Sequence, residues 1–217
     1  MVEFSVIVPA RFASLRLPGK PLRDVAGKTL IQRTYEAVKT SSATRIVVAT
    51  DDDGISQAVH GFGGEVCLTS GSHQSGTDRV AEAATSLQLD ADDIVVNVQG
   101  DEPDMPGALI DQVVEALVAN PLASVATAAT GLDNPGQFID PAVVKVVTDK
   151  ENFALYFSRA GIPFARNDAE GGADRVPWRL ARRHIGIYAY RVCYLHEFTE
   201  EPITPLENSE RLEQLRA

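Results

Sequence analysis

The sequence predicts an α/β fold: an open, mostly parallel, doubly wound sheet followed by a mixed second half. Three observations carry this expectation. Short β-branched runs recur through residues 1–120, stretches with helical apolar spacing separate them, and the order of elements changes from Ser124 onward. Apolar runs without polar alternation suit strands covered on both faces, and strands alternating with helices close into βαβ units under right-handed crossovers.

Val6, Ile7 and Val8 mark the first strand, Ile46 to Ala49 the next, then Glu65 to Leu68 and Ile94 to Val98. Between them, Leu30, Ile31, Thr34, Tyr35 and Val38 fall on one helical face. Val80, Ala83, Ala84 and Leu87 do the same, as do Leu109, Ile110, Val113, Val114, Leu117 and Val118, framed by Pro106 and Pro121. In a sheet of this kind, ligands bind beyond the carboxyl ends of the strands. Past Ser124, residues 142–147 and 185–190 are expected as strands, and Phe153 to Ala160 and Glu207 to Arg216 as helices. Residues 168–174, with Gly171 and Gly172, are expected as a surface loop. At 217 residues, 44% hydrophobic and 23% charged, the chain is expected to form one domain with a proper core. It is expected to have two halves, 1–120 with the doubly wound sheet and 121–217 with the mixed elements.

Thirty acidic against twenty basic side chains give a net charge of −10, which opposes binding to nucleic acid or to anionic membranes. Any polyanionic ligand must then be captured locally. Cys67 and Cys193 lie far apart without a CxxC pattern, which suits a reducing compartment. Glu3 stands where a signal would be basic, and the apolar run Phe4 to Ala10 is too short to target or anchor the chain, so the cytoplasm is the expected location.

The most informative stretch follows the first strand. Residues 9–22 hold Arg11, Arg16 and Lys20, no acid, and a frame of Pro18, Gly19 and Pro21. At a strand's carboxyl end in an acidic chain, such a loop can hold a triphosphate, with guanidinium forks on oxygens and Lys20 as a point charge. A solvated basic turn is the plain alternative. It is not a P-loop: Gly27-Lys28-Thr29 would need glycine at position 22, which is Leu22. Gly61, Gly63 and Gly64 do not make a dinucleotide fingerprint, Ser75 lacks the glycine of a nucleophile elbow at His73, and Cys193 with His196 is only half a zinc pattern.

Gln99-Gly100-Asp101-Glu102-Pro103 follows another apolar strand, where Asp101 could hold Mg²⁺, or another divalent cation, against phosphates. The alternative there is a surface turn. Residues 71–78 follow a strand and open a helix, offering amides and small hydroxyl groups that could meet base or ribose. An ordinary helix cap at Ser75 or Thr77 is the reading that physics alone favours.

These motifs together resemble the 3-deoxy-manno-octulosonate (KDO) cytidylyltransferases, also called CMP-KDO synthetases. The likeness runs through nearly the whole chain. It rests on PARxxSxRLPGKPL from Pro9, HQSGT from His73, NVQGDEP from Asn97, residues 142–147, ALYFSRA from Ala154, RHIGIY from Arg183 and LEQLR from Leu212. The resemblance implies a Rossmann-like nucleotidyltransferase sheet, CTP as donor, Mg²⁺ as cofactor, and CMP transfer to a small acidic acceptor with release of pyrophosphate. It implies Arg11, Ser14, Arg16 and Lys20 on the triphosphate, Arg11, Arg16, Lys20 and Asp101 as the catalytic set, and Asp101 on the metal. Ala10, Gln74, Ser75, Gly76, Gln99 and Gly100 would border the nucleotide. Arg159, His184, Tyr188, Glu207 and Glu210 would face the acceptor, and a homodimer would form through the second half.

Family members continue past the LEQLR helix into a strand and a final helix that carries a second metal-binding Asp. Here the sequence ends at Ala217. The corresponding expectations are a shortened chain, a metal shell completed another way, or an activity given up in part. Two further functions follow from that departure: cytidylyl transfer to a small phosphonate such as phosphonoformate, and nucleotide binding without catalysis.

Overall fold

The computed structural model describes residues 2–13, 17–164 and 177–217. In chain order, the first elements are β1 (Ser5–Ala10), a 3-10 turn (Lys20–Leu22), β2 (Asp24–Val25), β3 (Lys28–Thr29), α1 (Leu30–Val38), β4 (Arg45–Thr50) and α2 (Asp53–Gly61). Next come β5 (Glu65–Leu68), α3 (Gly76–Ser86), β6 (Ile94–Asn97), α4 (Gly107–Ala119), β7 (Val125–Gly131) and α5 (Pro135–Ile139). The chain continues with β8 (Lys145–Thr148), β9 (Ala154–Ser158), β10 (Arg182–Arg191), α6 (Val192–Glu200) and α7 (Pro205–Glu210).

Two compact units emerge, one of residues 1–127 with 186–200 and the other of 128–185 with 201–217. Residues 186–200, which the sequence reading assigned to the second half, pack with the first unit. Its strands run in the order β5-β4-β1-β6, all parallel, with the later part of β10 added antiparallel to β6. The expected open, mostly parallel sheet is therefore present. From β1 the chain winds outward to β4 and β5, then returns to β6 on the other side, so the switch point lies between β1 and β6. That is where an open α/β sheet leaves a crevice.

Local chemistry explains the helix starts. The Thr29 hydroxyl accepts from the Gln32 N–H at 3.3 Å, and the Asp52 carboxylate from that of Ile55 at 2.8 Å, so each satisfies a donor the helix leaves open. Beneath α3 and α6, Ile7, Val47, Val80, Ala83, Val95 and Leu195 are wholly buried. Each large aliphatic removed from water there contributes roughly 1.5–3 kcal/mol.

In the second unit, β8 pairs antiparallel with β9, Lys145 opposite Ser158, and with the start of β10, Val146 opposite Arg182. Two expectations are corrected here. The segment 153–160 contains strand β9, Ala154–Ser158, rather than a helix, because ladder bonds to β8 and burial of Phe157 with Val146 and Leu212 override a spacing that fits either element. Residues 207–216 are not one helix: α7 stops at Glu210, Arg211 turns left-handed with φ 54°, and a 3-10 turn follows at Glu213–Leu215. The strand expected at 142–147 begins later, at Lys145, and the expected loop at 168–174 lies outside the described residues.

Candidate active site

Three loops of the first unit meet at the switch point. The loop after β1 folds back on itself: the Gly19 N–H donates to the Phe12 carbonyl at 3.0 Å, and Gly19 sits left-handed at φ 68°, where a side chain would be strained. A Cβ there would also come within 3.1 Å of the Phe12 ring. The turn delivers Lys20, whose ammonium forms an ion pair with the Asp101 carboxylate from the loop after β6. Arg11 is exposed on the same loop and Ala10 buried beneath it, while Ser14 and Arg16 lie outside the described residues.

Gly100 explains how closely those loops approach. Its N–H donates to the Pro9 carbonyl at 3.3 Å, its own carbonyl accepts from the Thr34 hydroxyl at 3.1 Å, and a Cβ would fall 2.8 Å from the Pro9 oxygen. Only glycine lets the β6 loop lie against the end of β1. The third loop closes in at Gly76, where a Cβ would lie 3.3 Å from both amide atoms of Gln99 and 3.4 Å from the Pro9 ring. Gln99, Gly100, Asp101, Lys20, Ala10 and Gly76 are thus brought together.

Ser75 caps α3. Its hydroxyl accepts from the Asp78 N–H at 3.1 Å while the Asp78 carboxylate accepts from the Ser75 N–H at 3.0 Å, a reciprocal cap on α3. Gln74 is exposed and donates to the Ser72 carbonyl at 3.2 Å.

The sequence reading missed what holds this third loop. The Glu82 carboxylate accepts from the Ser70 N–H at 2.9 Å and pairs with His73 Nε2, tying the loop to the helix it precedes. Burial alone would raise the Glu82 pKa, but the bonds from His73 and Ser70 and the charges of His73 and Arg79 hold it below the usual carboxylate value. Arg79, buried, donates to the Thr69 hydroxyl at 2.5 Å and pairs with Asp51 at 3.2 Å. A polar residue recurring on the inner face of α3, at 79 and 82, was the available signal.

The second unit holds most of the expected acceptor residues. Arg159 gives Nε to the Glu210 carbonyl at 2.7 Å and Nη1 to that of Pro141 at 2.9 Å. The Glu210 carboxylate accepts from the Ser158 hydroxyl at 2.6 Å and the Arg159 N–H at 2.9 Å, and these bonds keep its pKa low. Glu207 is buried, closes the α7 capping box with Thr204, and meets Arg216 at 2.7 Å. His184 stands edge-on to Phe157, ring centroids 5.0 Å apart, and burial pushes its pKa down to about 4, so its imidazole is neutral at physiological pH. Tyr188 belongs to the first unit, opposite Asn97 and stacked on Tyr190 at 5.9 Å.

A cationic turn and a carboxylate facing each other across the switch point of a doubly wound sheet define a nucleotidyltransferase-type site. Comparison with known proteins makes the class specific. The family model described as cytidylyltransferase matches residues 5–217, and the chain belongs to that family. It is 52% identical to the 3-deoxy-manno-octulosonate cytidylyltransferase of Hahella chejuensis, covering 100% of this chain and 86% of that one. With the enzyme of the same name from Pseudomonas syringae pv. syringae it shares 51% identity over 99% and 85% of the two chains. The solved structure of a CMP:2-keto-3-deoxy-manno-octonic acid synthetase complexed with CTP superposes with a TM-score of 0.88 at 38% identity, covering 100% of this chain and 85% of that one. A cytidylyltransferase from Leptospira borgpetersenii, 19% identical with a TM-score of 0.55, shares the fold.

Proposed function

We propose that this protein transfers CMP from CTP to 3-deoxy-manno-octulosonate and releases pyrophosphate. The observation that carries the reading is the Lys20–Asp101 pair at the switch point. Their side chains are 39% and 47% exposed, and a pair so wetted adds at most about 1 kcal/mol to stability. Cation and carboxylate held together at little structural gain suit a site where substrate and metal take over the two charges.

Mg²⁺ fits the residues present. Asp101 is an exposed carboxylate beside the basic turn, and Mg²⁺ characteristically takes one or two carboxylates with substrate phosphates and water. Asp101 would hold it, and when bound it would neutralise phosphate charge and lower the pKa of the attacking hydroxyl. Lys20 then moves its ammonium from Asp101 to a phosphate oxygen, joined by Arg11. Gln74, Gly76, Gln99 and Gly100 border the nucleotide, and the hydroxyl of KDO attacks the α-phosphorus in line without a protein nucleophile. For the acceptor, the proposed residues are Arg159, His184, Glu207 and Glu210 within the second unit and Tyr188 within the first. Arg159 and Glu210 brace each other, which would hold both in place beside an acceptor.

A second copy of the chain is the proposed partner. Within the second unit, Ile139, Leu155, Phe164 and Leu180 are each exposed, and apolar side chains of this kind could enter a seam between copies. The cytoplasm is the proposed location; among the described residues no helix is long and apolar enough to cross a membrane.

Pyrophosphate release from CTP, measured with KDO and separately with phosphonoformate, tests the reading. Turnover with KDO is expected, and Lys20→Ala and Asp101→Asn should each lower it on the order of 100-fold or more while leaving the fold intact. Near-normal rates in both variants, or turnover with the phosphonate alone, would overturn the proposal.

A further inference from the structure

Asn97, the last residue of β6, is an amide in a place that physics would give to an aliphatic side chain. It is 1% exposed. Ile7 of β1 lies beside it in register, Tyr188 of β10 lies opposite, and Val95 occupies the same face two residues earlier. Ile7 and Val95 belong to the core beneath α3 and α6, and Tyr188 packs against it. In such surroundings a polar group is tolerated only when its hydrogen bonds are made.

Half of them are not. Asn97 Oδ1 accepts from Gln99 Nε2 at 3.2 Å, whereas Nδ2 is buried with no hydrogen-bond partner among the described residues. The molecule therefore carries the full desolvation of one buried donor in order to offer a single oxygen to Gln99. Leucine has the same branching and would remove the unsatisfied donor. Departures of this kind from the rules of core packing concentrate at functional sites.

The residue that benefits stands in the site. The Gln99 amide lies against Gly76, with Nε2 and Oε1 equally near the position a Cβ would take, so contact with Gly76 does not distinguish the two ends. The bond that Gln99 Nε2 donates to Asn97 Oδ1 does: it occupies Nε2 and leaves Oε1 as the end able to accept from a ligand. We propose that Asn97 is a positioning residue of the transfer site, whose Oδ1 fixes the orientation of the Gln99 amide toward substrate. The proposal rests on the function argued above, with Gln99 as a substrate-binding residue.

The test compares Asn97→Leu, Asn97→Asp, Gln99→Ala and the double variant Asn97→Leu/Gln99→Ala. The measurements are thermal unfolding, pyrophosphate release with CTP and KDO each varied in turn, and calorimetric affinity for each substrate. Asn97→Leu is expected to melt at or above the wild-type temperature yet to lose about tenfold or more in kcat/KM, as Gln99→Ala does. The double variant should be no worse than Gln99→Ala, because a residue acting only through Gln99 has nothing left to position. Asn97→Asp keeps an oxygen for Gln99 and is expected to stay within about threefold of wild type.

The idea is overturned if Asn97→Leu or Gln99→Ala retains wild-type kcat/KM, or if the losses multiply in the double variant. Should Asn97→Leu fail to fold, Asn97→Asp decides: a loss as large as that of Gln99→Ala removes the role of the oxygen. Wild-type protein that binds both substrates but releases no pyrophosphate sinks the proposed function alone, since the affinities still report the coupling. Normal wild-type turnover with silent Asn97 and Gln99 variants sinks this inference alone.

Discussion

His184 makes the stability of this protein pH-dependent between its own lowered pKa and the ordinary imidazole value. Burial lowers its pKa from the ordinary 6.5 to about 4. Sign follows from linkage: below the unfolded value the unfolded chain takes up a proton that the folded chain refuses, so stability is complete above 6.5 and falls as pH drops toward 4. The interval, at about 1.4 kcal/mol per pH unit, caps the loss at about 3 kcal/mol, and by about pH 5 roughly 2 kcal/mol should be gone. Urea unfolding at about pH 7.5 and about pH 5 on the wild type and on His184→Phe measures the difference. Phenylalanine keeps a ring beside Phe157 and binds no proton. The wild type should lose about 2 kcal/mol more than the variant between the two conditions, because carboxylate effects cancel in the comparison. An equal loss in both proteins would refute the argument, as would an imidazole NMR titration with its midpoint near the ordinary value.

Other consequences follow from single contacts. Gly107→Ala would place a Cβ 2.4 Å from the backbone of Thr40 and Ser41, and the forced displacement should lower stability by about 3 kcal/mol in denaturant titration. Lys145 is fully buried, and its ammonium donates to the carbonyls of Asp140, Val143 and Arg159 at 2.8, 2.5 and 2.6 Å. Lys145→Met leaves all three without that donor and should destabilise the chain by about 3 kcal/mol, visible as a lowered melting temperature. Glu82→Ala releases Ser70 and His73 together, so steady-state kinetics should show KM for CTP rising about fivefold with kcat little changed; a pure kcat defect would contradict the loop-fixing role.

Much of the first unit was legible because its signals are local. β1, β4 and β6 are β-branched runs, α1, α3 and α4 carry an apolar stripe, and both patterns depend only on residues close in the chain. β9 was misread because a short aromatic-rich segment such as Ala154–Ser158 has no spacing that separates strand from helix; its partner β8 decided. The 207–216 segment looked helical throughout, yet Glu207 turned to Arg216 and Arg211 left the helical region. In the site, the three loops could be named from composition and position after a strand. Their meeting could not: Lys20 and Asp101 are 81 residues apart, and His73 and Glu82 stand at no regular spacing.

What the sequence determined by itself, then, is which segments bring charge and which bring small polar groups, since a basic loop, a small-residue loop and an acidic turn each declare their chemistry in a few neighbouring residues. Which atoms face one another was decided only by the tertiary structure. It pressed Gly100 onto Pro9, turned the Ser75 hydroxyl into a cap, locked Arg159 against Glu210 and left half of the Asn97 amide unsatisfied. Each of these is a compromise between burial and hydrogen bonding settled by partners that only folding brings near.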